Sequence, residues 1–198
     1  MDLDADVVTQ LLQRSEDEIK ALACHCLTHN LRLVFDRGVC CFSECNDNML
    51  MWGHYAECHR GFCLEFTTNF EPFCDPEKLR FVTYCAKFPH LDVAWIAKGD
   101  FEHLLDFLLS KADFWEYKRE LRLLHKEKCK QFGYERRCLT AVYLGARMSE
   151  DLMHLICHSL EKMSTKLFRA RIKEGEFSLE FEAVDFKSID YRSGITTA

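Results

Sequence analysis

The sequence is poor in chain breakers: only three prolines and eight glycines stand among 198 residues. A composition this low in Pro and Gly, with 48% hydrophobic residues, excludes a low-complexity or disordered chain and a collagen-like one. Long apolar runs are missing as well. No stretch approaches the roughly 20 residues that a membrane-spanning helix needs, and the longest hydrophobic segments are broken by charges. The opening Met1-Asp2-Leu3-Asp4-Ala5-Asp6 is acidic and carries no basic region ahead of an apolar core, so a secretory leader is not expected. There is no basic excess either: 26 Lys and Arg face 32 Asp and Glu, a net charge of −6. A chain clamped along nucleic acid usually carries the opposite balance, so that is not the leading reading. Neither G-x-x-x-x-G-K-[ST] nor G-x-G-x-x-G occurs, which removes the main signatures of the P-loop and dinucleotide-fold classes.

What is abundant is cysteine, twelve residues, and histidine, nine. They crowd into Cys24-His25-Cys26 with His29, Cys40-Cys41 with Cys45, and His54, Cys58, His59 and Cys63. Structural zinc needs four converging ligands, usually as C-x2-C pairs, and no C-x2-C occurs here. His54 and Cys58, four apart on an expected helix, make at most a half-site. No metal is therefore expected, although a zinc-stabilised interaction domain stays among the alternatives. In a cytoplasmic chain, where thiols stay reduced, cysteine acts as a small apolar residue, and Cys26, Cys63, Cys138 and Cys157 fall at expected core positions.

The hydrophobic pattern predicts one α+β domain over 1–198: a mixed or antiparallel sheet packed with several helices. Residues 1–35 form a helical N-terminal part and 36–198 the core. Val7, Leu11 and Leu12 suit a first helix. Ser15 and Glu18 suit a capping box opening a second, with Ile19, Leu22, Ala23, Cys26 and Leu27 as its apolar stripe. Strands are expected at Val39–Phe42, Phe62–Phe66, Leu79–Cys85, Cys138–Leu144, Leu167–Ile172 and Phe177–Val184. Helices are expected at about 48–58, Gly99–Lys111 and Ser149–Met163. Tyr117–His125 reads as either. Strands and helices mix without regular βαβ alternation, which favours α+β.

Between Lys118 and Arg137 eight Lys or Arg meet three Glu, a local +5 in an acidic chain. A solvated hairpin with its loop near Gln131-Phe132-Gly133 accounts for this, and steering of a nucleotide or nucleic-acid end is the other reading.

The most specific text is Cys41-Phe42-Ser43-Glu44, then Met51-Trp52-Gly53-His54-Tyr55-Ala56, then His59 to Phe66, and later Lys111 to Trp115 and Glu120-Leu121-Arg122. Trp52, Tyr55 and His59 fall at i, i+3 and i+7, either as core or as a stacking wall for a flat ligand. On a strand, Lys118, Glu120 and Arg122 share a face, a carboxylate between two cations. That pattern suits a polar site and a structural ion-pair ladder equally.

These stretches resemble the bacterial domain-of-unknown-function 2971 family. Its pattern of Phe-Ser, Met-Trp-x-His-Tyr-Ala, His-x-Gly-Phe-Cys-Leu-x-Phe, then Lys, Trp, Glu-x-Arg and an apolar strand ending in Gly corresponds to Phe42-Ser43, Met51–Ala56, His59–Phe66, Lys111, Trp115, Glu120–Arg122 and Val142–Gly145. The match runs over about residues 39 to 185. The resemblance implies a fold similar to ADP-ribosyltransferases and a site for NAD or a related nucleotide. On that analogy the catalytic set is Glu120, Ser43 and Tyr55, with Glu120 holding the ribose and stabilising the developing oxocarbenium. Trp52, His54, His59, Trp115 and Arg122 are then the ligand-binding residues. The sequence departs from the family pattern twice. Its Tyr-rich opening strand is absent, and Lys118 stands where a second Glu is frequent. A non-catalytic binding or regulatory module with a protein partner, in a defence or toxin context, is therefore the alternative reading.

Overall fold

The structure, a computed structural model, describes residues 13–90, 92–128 and 130–185. The expected first helix at Val7, Leu11 and Leu12 lies outside them. In chain order the elements are α1 (Glu16–Phe35), β1 (Gly38–Ser43), α2 (Met49–Tyr55), β2 (Phe62–Phe66), β3 (Leu79–Phe81), β4 (Thr83–Cys85), α3 (Val93–Lys98), α4 (Phe101–Leu109) and β5 (Ser110–Ala112). A 3-10 turn (Asp113–Lys118) and β6 (Glu120–His125) come next. A second 3-10 turn (Arg136–Cys138), β7 (Leu139–Leu144), α5 (Glu150–Leu160), β8 (Lys166–Ile172) and β9 (Leu179–Ala183) complete the list. The class is α+β, with mixed and antiparallel sheets. No helix among the described residues is long and apolar enough to cross a membrane.

The chain divides into two compact units. The first comprises Met1–Val39, Val82–Asp113 and Leu124–Lys130. Its longest element, α1, opens on the capping box expected from sequence. Ser15 Oγ accepts from the Glu18 N–H, and the Glu18 carboxylate accepts from the Ser15 N–H at 2.8 Å. The expected stripe of α1 is not a core stripe: Ile19, Leu22 and Cys26 are exposed. Burial comes later along the helix, where Val34 joins Ile96, Leu104, Leu105, Leu109 and Leu124, with Leu27 and Leu31 packed beside them. The helix expected at Gly99–Lys111 is shorter. Its last residues leave α4 as β5, which pairs in parallel with β4.

The second unit comprises Cys40–Phe81, Phe114–Leu123 and Gln131–Ala198. Its larger sheet has the order β2-β7-β8-β9. β7 runs antiparallel to β2 (Leu64 opposite Val142) and parallel to β8 (Val142 opposite Leu167), and β9 closes antiparallel on β8. Side chains alternate across a strand, and β7 is apolar on both faces. Val142 and Leu144 pack under α5 with Met153, Cys157 and Leu160. Ala141 and Tyr143 pack on the other face with Trp52 and Ala56 at α2. The near-continuous apolar run is therefore a central strand covered on both sides. The second sheet has the order β1-β6-β3, with Leu79, Arg80 and Phe81 opposite Leu123, Arg122 and Leu121. A third cluster of Phe73, Leu123 and Cys138, with Phe42, Phe66 and Leu79, fills its apolar side.

Two expectations change here. Leu79–Cys85 is not one strand: Val82 separates β3, which joins β6, from β4, which joins β5. Residues 126–137 do not form a hairpin loop either, because β6 and β7 belong to different sheets.

Candidate functional site

Most of the specific sequence text lies in the second unit, where the loop after β1 lies along the 3-10 turn that leads into β6. Ser43 Oγ donates to the Lys118 carbonyl at 2.7 Å. The Glu44 N–H donates to the Arg119 carbonyl at 3.1 Å. Asn48 Nδ2 donates to the Tyr117 carbonyl at 3.3 Å, while its Oδ1 caps α2 by accepting from Leu50 and Met51. An ion pair, Arg119 Nε to Glu44 Oε2 at 3.3 Å, closes the seam from outside. Three main-chain carbonyls in a row thus receive a donor, as backbone polar groups away from water must.

The seam changes the direction of the chain at Lys118. Arg119 has φ +43°, the left-handed region. Lys118 is therefore not part of the strand and does not alternate with Glu120 and Arg122. It ends the 3-10 turn, 5% exposed, with its ammonium 4.0 Å from the centre of the Trp115 ring and 4.6 Å from that of Tyr55. It also donates to Tyr55 Oη. Burial alone works against the charge. The Tyr55 hydrogen bond and the fields of Tyr55, Tyr117 and Glu120 outweigh that, so Lys118 titrates above the ordinary lysine value. Two residues on, Glu120 is also 5% exposed and accepts from Arg122 Nε at 2.8 Å. Residues two apart on a strand share a face, so this pair lies along β6.

The eight residues singled out in the sequence distribute as follows. Ser43 and Tyr55 meet through Lys118, the first on its carbonyl and the second on its ammonium. Trp115 lies against the same ammonium, and Glu120 and Arg122 follow on β6. Tyr55 is 65% exposed and is the surface end of the cluster. Trp52 is elsewhere: it is buried in the core under β7, its Nε1 donating to the Asn46 carbonyl at 2.5 Å. It is not a stacking wall. His54 is exposed, with its ring edge-on to Tyr55. His59 does not continue the helix. α2 ends at Tyr55, and Glu57, Cys58 and His59 all take positive φ, between 48° and 67°. The turn folds the His59 ring back onto Trp52, nearly parallel at 6.3 Å, and buries Nδ1 without a hydrogen-bond partner. Gly145 makes room for this turn. A Cβ there would lie 2.1 Å from the His59 carbonyl oxygen.

The same turn removes the spacing that put His54 and Cys58 on one helix face, and among the described residues no three His, Cys, Asp or Glu side chains gather as a metal site. Cys138 and Cys157 are fully buried, as expected of core thiols, but Cys26 is exposed and Cys63 only partly covered.

Sequence reasoning places Lys118 on the strand as a cation flanking Glu120, whereas the structure puts it at the end of the 3-10 turn against Trp115 and Tyr55. Trp115 precedes it by three residues on the same 3-10 turn, but Tyr55 comes from a distant segment, so local spacing alone does not assemble the box. A second carboxylate lies on the β2–β7 ladder. Glu65 accepts from Tyr143 Oη at 2.5 Å and from Thr140 Oγ1 at 2.6 Å. Burial first, then this carboxylate, pushes the Tyr143 phenol up to about 12.

In comparison with known proteins, no family model, no curated protein and no solved structure matches the chain.

Proposed function

We propose that the cluster built on Tyr55, Trp115, Lys118, Glu120 and Arg122 is a nucleotide site of ADP-ribosyltransferase type, with a nicotinamide dinucleotide as substrate. The observation that carries this reading is that a surface phenol, Tyr55, meets the buried Lys118 two residues ahead of a buried strand carboxylate, Glu120. An exposed ring beside a held carboxylate suits a ligand that is flat at one end and develops positive charge at its ribose. When bound, the dinucleotide supplies a ribosyl bond that ionises as neutral nicotinamide leaves with the bonding electron pair. Glu120 stabilises the cationic sugar until a water molecule bonds to the anomeric carbon and passes its proton to solvent. Arg122 orients the carboxylate at 2.8 Å. Ser43 is a positioning residue: its hydroxyl is engaged by the Lys118 carbonyl and by the Cys45 N–H.

The test is NAD turnover by the purified chain and by Glu120→Gln. The reading expects measurable release of nicotinamide that falls at least a hundredfold in the variant. Equal turnover in both, or none in the parent chain, removes it. One observation favours a second reading, a binding module that does not catalyse. The Glu120 side chain is 6% exposed and already holds a cation, as a structural ion pair would. That reading expects no NAD turnover, and capture of a protein partner that Tyr55→Ala abolishes.

A further inference from the structure

The apolar stripe that opens α1 has no place in the core of the first unit. Ile19, Leu22, Cys26, His29 and Leu33 follow one another at alternating steps of three and four, the a and d positions of a heptad. All five are exposed. The residues that seat α1 in its unit, Leu27, Leu31 and Val34, lie roughly a third of a turn round the helix. The stripe is therefore a second face, carried by a helix that is already folded and held.

The charges beside the stripe say what fits it. At the g positions stand Glu18, His25 and Arg32, acidic at one end and basic at the other. Charges flanking a heptad seam set the partner and its orientation. In an antiparallel pair the g positions of the two helices face each other, so their order reverses in the partner. A second copy of α1 laid antiparallel, with Ile19 against His29 and Leu22 against Cys26, sets Glu18 against Arg32 at both ends. His25 then meets itself at the twofold axis, and one patch serves both copies. A parallel copy sets Glu18 beside Ala23 and Arg32 beside Arg37, and gains no attractive pair. The Glu18 carboxylate is held in place by the capping box at Ser15 and retains acceptor capacity there. Asp36, one turn beyond Arg32, is bonded by Lys128 at 2.5 Å.

We propose that this face of α1 is a self-association surface on which a second copy of this chain docks antiparallel, as a reversible dimer with a twofold axis. The stripe covers two heptads, about 21 Å at 1.5 Å per residue, against the roughly three or four heptads that mark a free-standing coiled coil. The association is accordingly weak. It forms because Leu27, Leu31 and Val34 anchor the helix beforehand, so docking does not have to order it. The proposal is independent of the nucleotide reading, since no residue of the stripe belongs to that cluster.

The experiment is sedimentation velocity of the whole chain, with a reductant present, from micromolar to near-millimolar protein. A reversible monomer–dimer equilibrium is expected. Leu22→Glu, at an exposed position, should weaken it at least tenfold with the melting temperature unchanged, and Cys26→Glu carries the test if that variant does not fold. Glu18→Lys, which keeps the Ser15 Oγ cap, and Arg32→Glu should each weaken self-association at least threefold. Mixed together, these two variants should associate more tightly than either alone, because both flanking pairs are then attractive. A chain that stays monomeric throughout, as when its own residues 1–12 or another protein cover the stripe, overturns the proposal. So does a dimer that Leu22→Glu leaves intact, or a mixture of the charge variants no tighter than its components.

Discussion

Replacing Glu120 by Gln tests the pair at the centre of the cluster. Its Oε1 lies 2.8 Å from Arg122 Nε, with the side chains 6% and 16% exposed. At an effective dielectric near 20, charges this close attract by about 6 kcal/mol. Desolvation of two poorly exposed ions offsets several kcal/mol of that, but the offset is already made in the folded protein and is not recovered when one partner alone is neutralised. Gln keeps an oxygen for the Arg122 N–H and loses the charge. A hydrogen bond to a charged group contributes about 1.5–3 kcal/mol, and stranding a buried partner costs about 3–5, so a loss of about 2–4 kcal/mol is expected. The assay is urea unfolding followed by tryptophan fluorescence. Adding Arg122→Met to the Gln variant should cost less than the two separate effects together, by about 2 kcal/mol of coupling. A Gln variant within about 0.5 kcal/mol of the parent, or strictly additive effects, would refute the account of a held, oriented carboxylate. Against a typical domain stability of about 5–15 kcal/mol, the expected cost leaves most chains folded. Turnover can therefore be read on the same variant.

Three further outcomes follow from the geometry. Gly145→Ala places a methyl 2.1 Å from the His59 carbonyl oxygen and 2.7 Å from that of Gly61, main-chain atoms that cannot swing aside. The turn or β7 must shift, and denaturant midpoints should report a loss of about 3 kcal/mol or more. Tyr143 titrates near 12 in the folded state against an ordinary 10. The folded protein thus binds the extra proton between those values. The stabilisation is complete below pH 10 and is lost as pH rises towards 12. After allowance for screening by solvent at Glu65, the parent should lose about 1–2 kcal/mol more than Tyr143→Phe across that window; equal pH dependence would deny the Glu65 bond. Under native conditions a thiol reagent should leave Cys138 and Cys157 unlabelled and modify Cys24, Cys26, Cys41 and Cys58. Burial raises the Cys157 thiol further against reaction. Rapid labelling of either core cysteine, read by peptide mass, would contradict its placement.

Features legible in the sequence were those set by near neighbours. The Ser15–Glu18 box, the Ser149 cap and the double-sided apolar run of β7 each depend on residues within a few positions. The break at Val82 was not legible. Residues 79–85 contain no Gly or Pro, and the division is imposed by two different partner strands. The reading of Trp52, Tyr55 and His59 as one helix face failed because three left-handed residues follow the helix, held by a close approach to Gly145 far along the chain. The assembly of Ser43, Tyr55 and Glu120 depended likewise on Lys118. A period-two pattern aligned that residue with Glu120 and Arg122, whereas the left-handed Arg119 turns it into the aromatic box. Apolar spacing in α1 suggested a longer buried stripe than the first unit covers.

The central claim is that the corner between Tyr55 and Glu120 takes a nucleotide. The most direct measurement is a titration of the chain with ADP-ribose, followed in the resonances of the Lys118 ammonium and the Tyr55 ring. The account predicts saturable shifts in both, with the Tyr55 shift lost in Lys118→Met. Undisturbed resonances at millimolar ADP-ribose, in a chain shown to be folded, would contradict it.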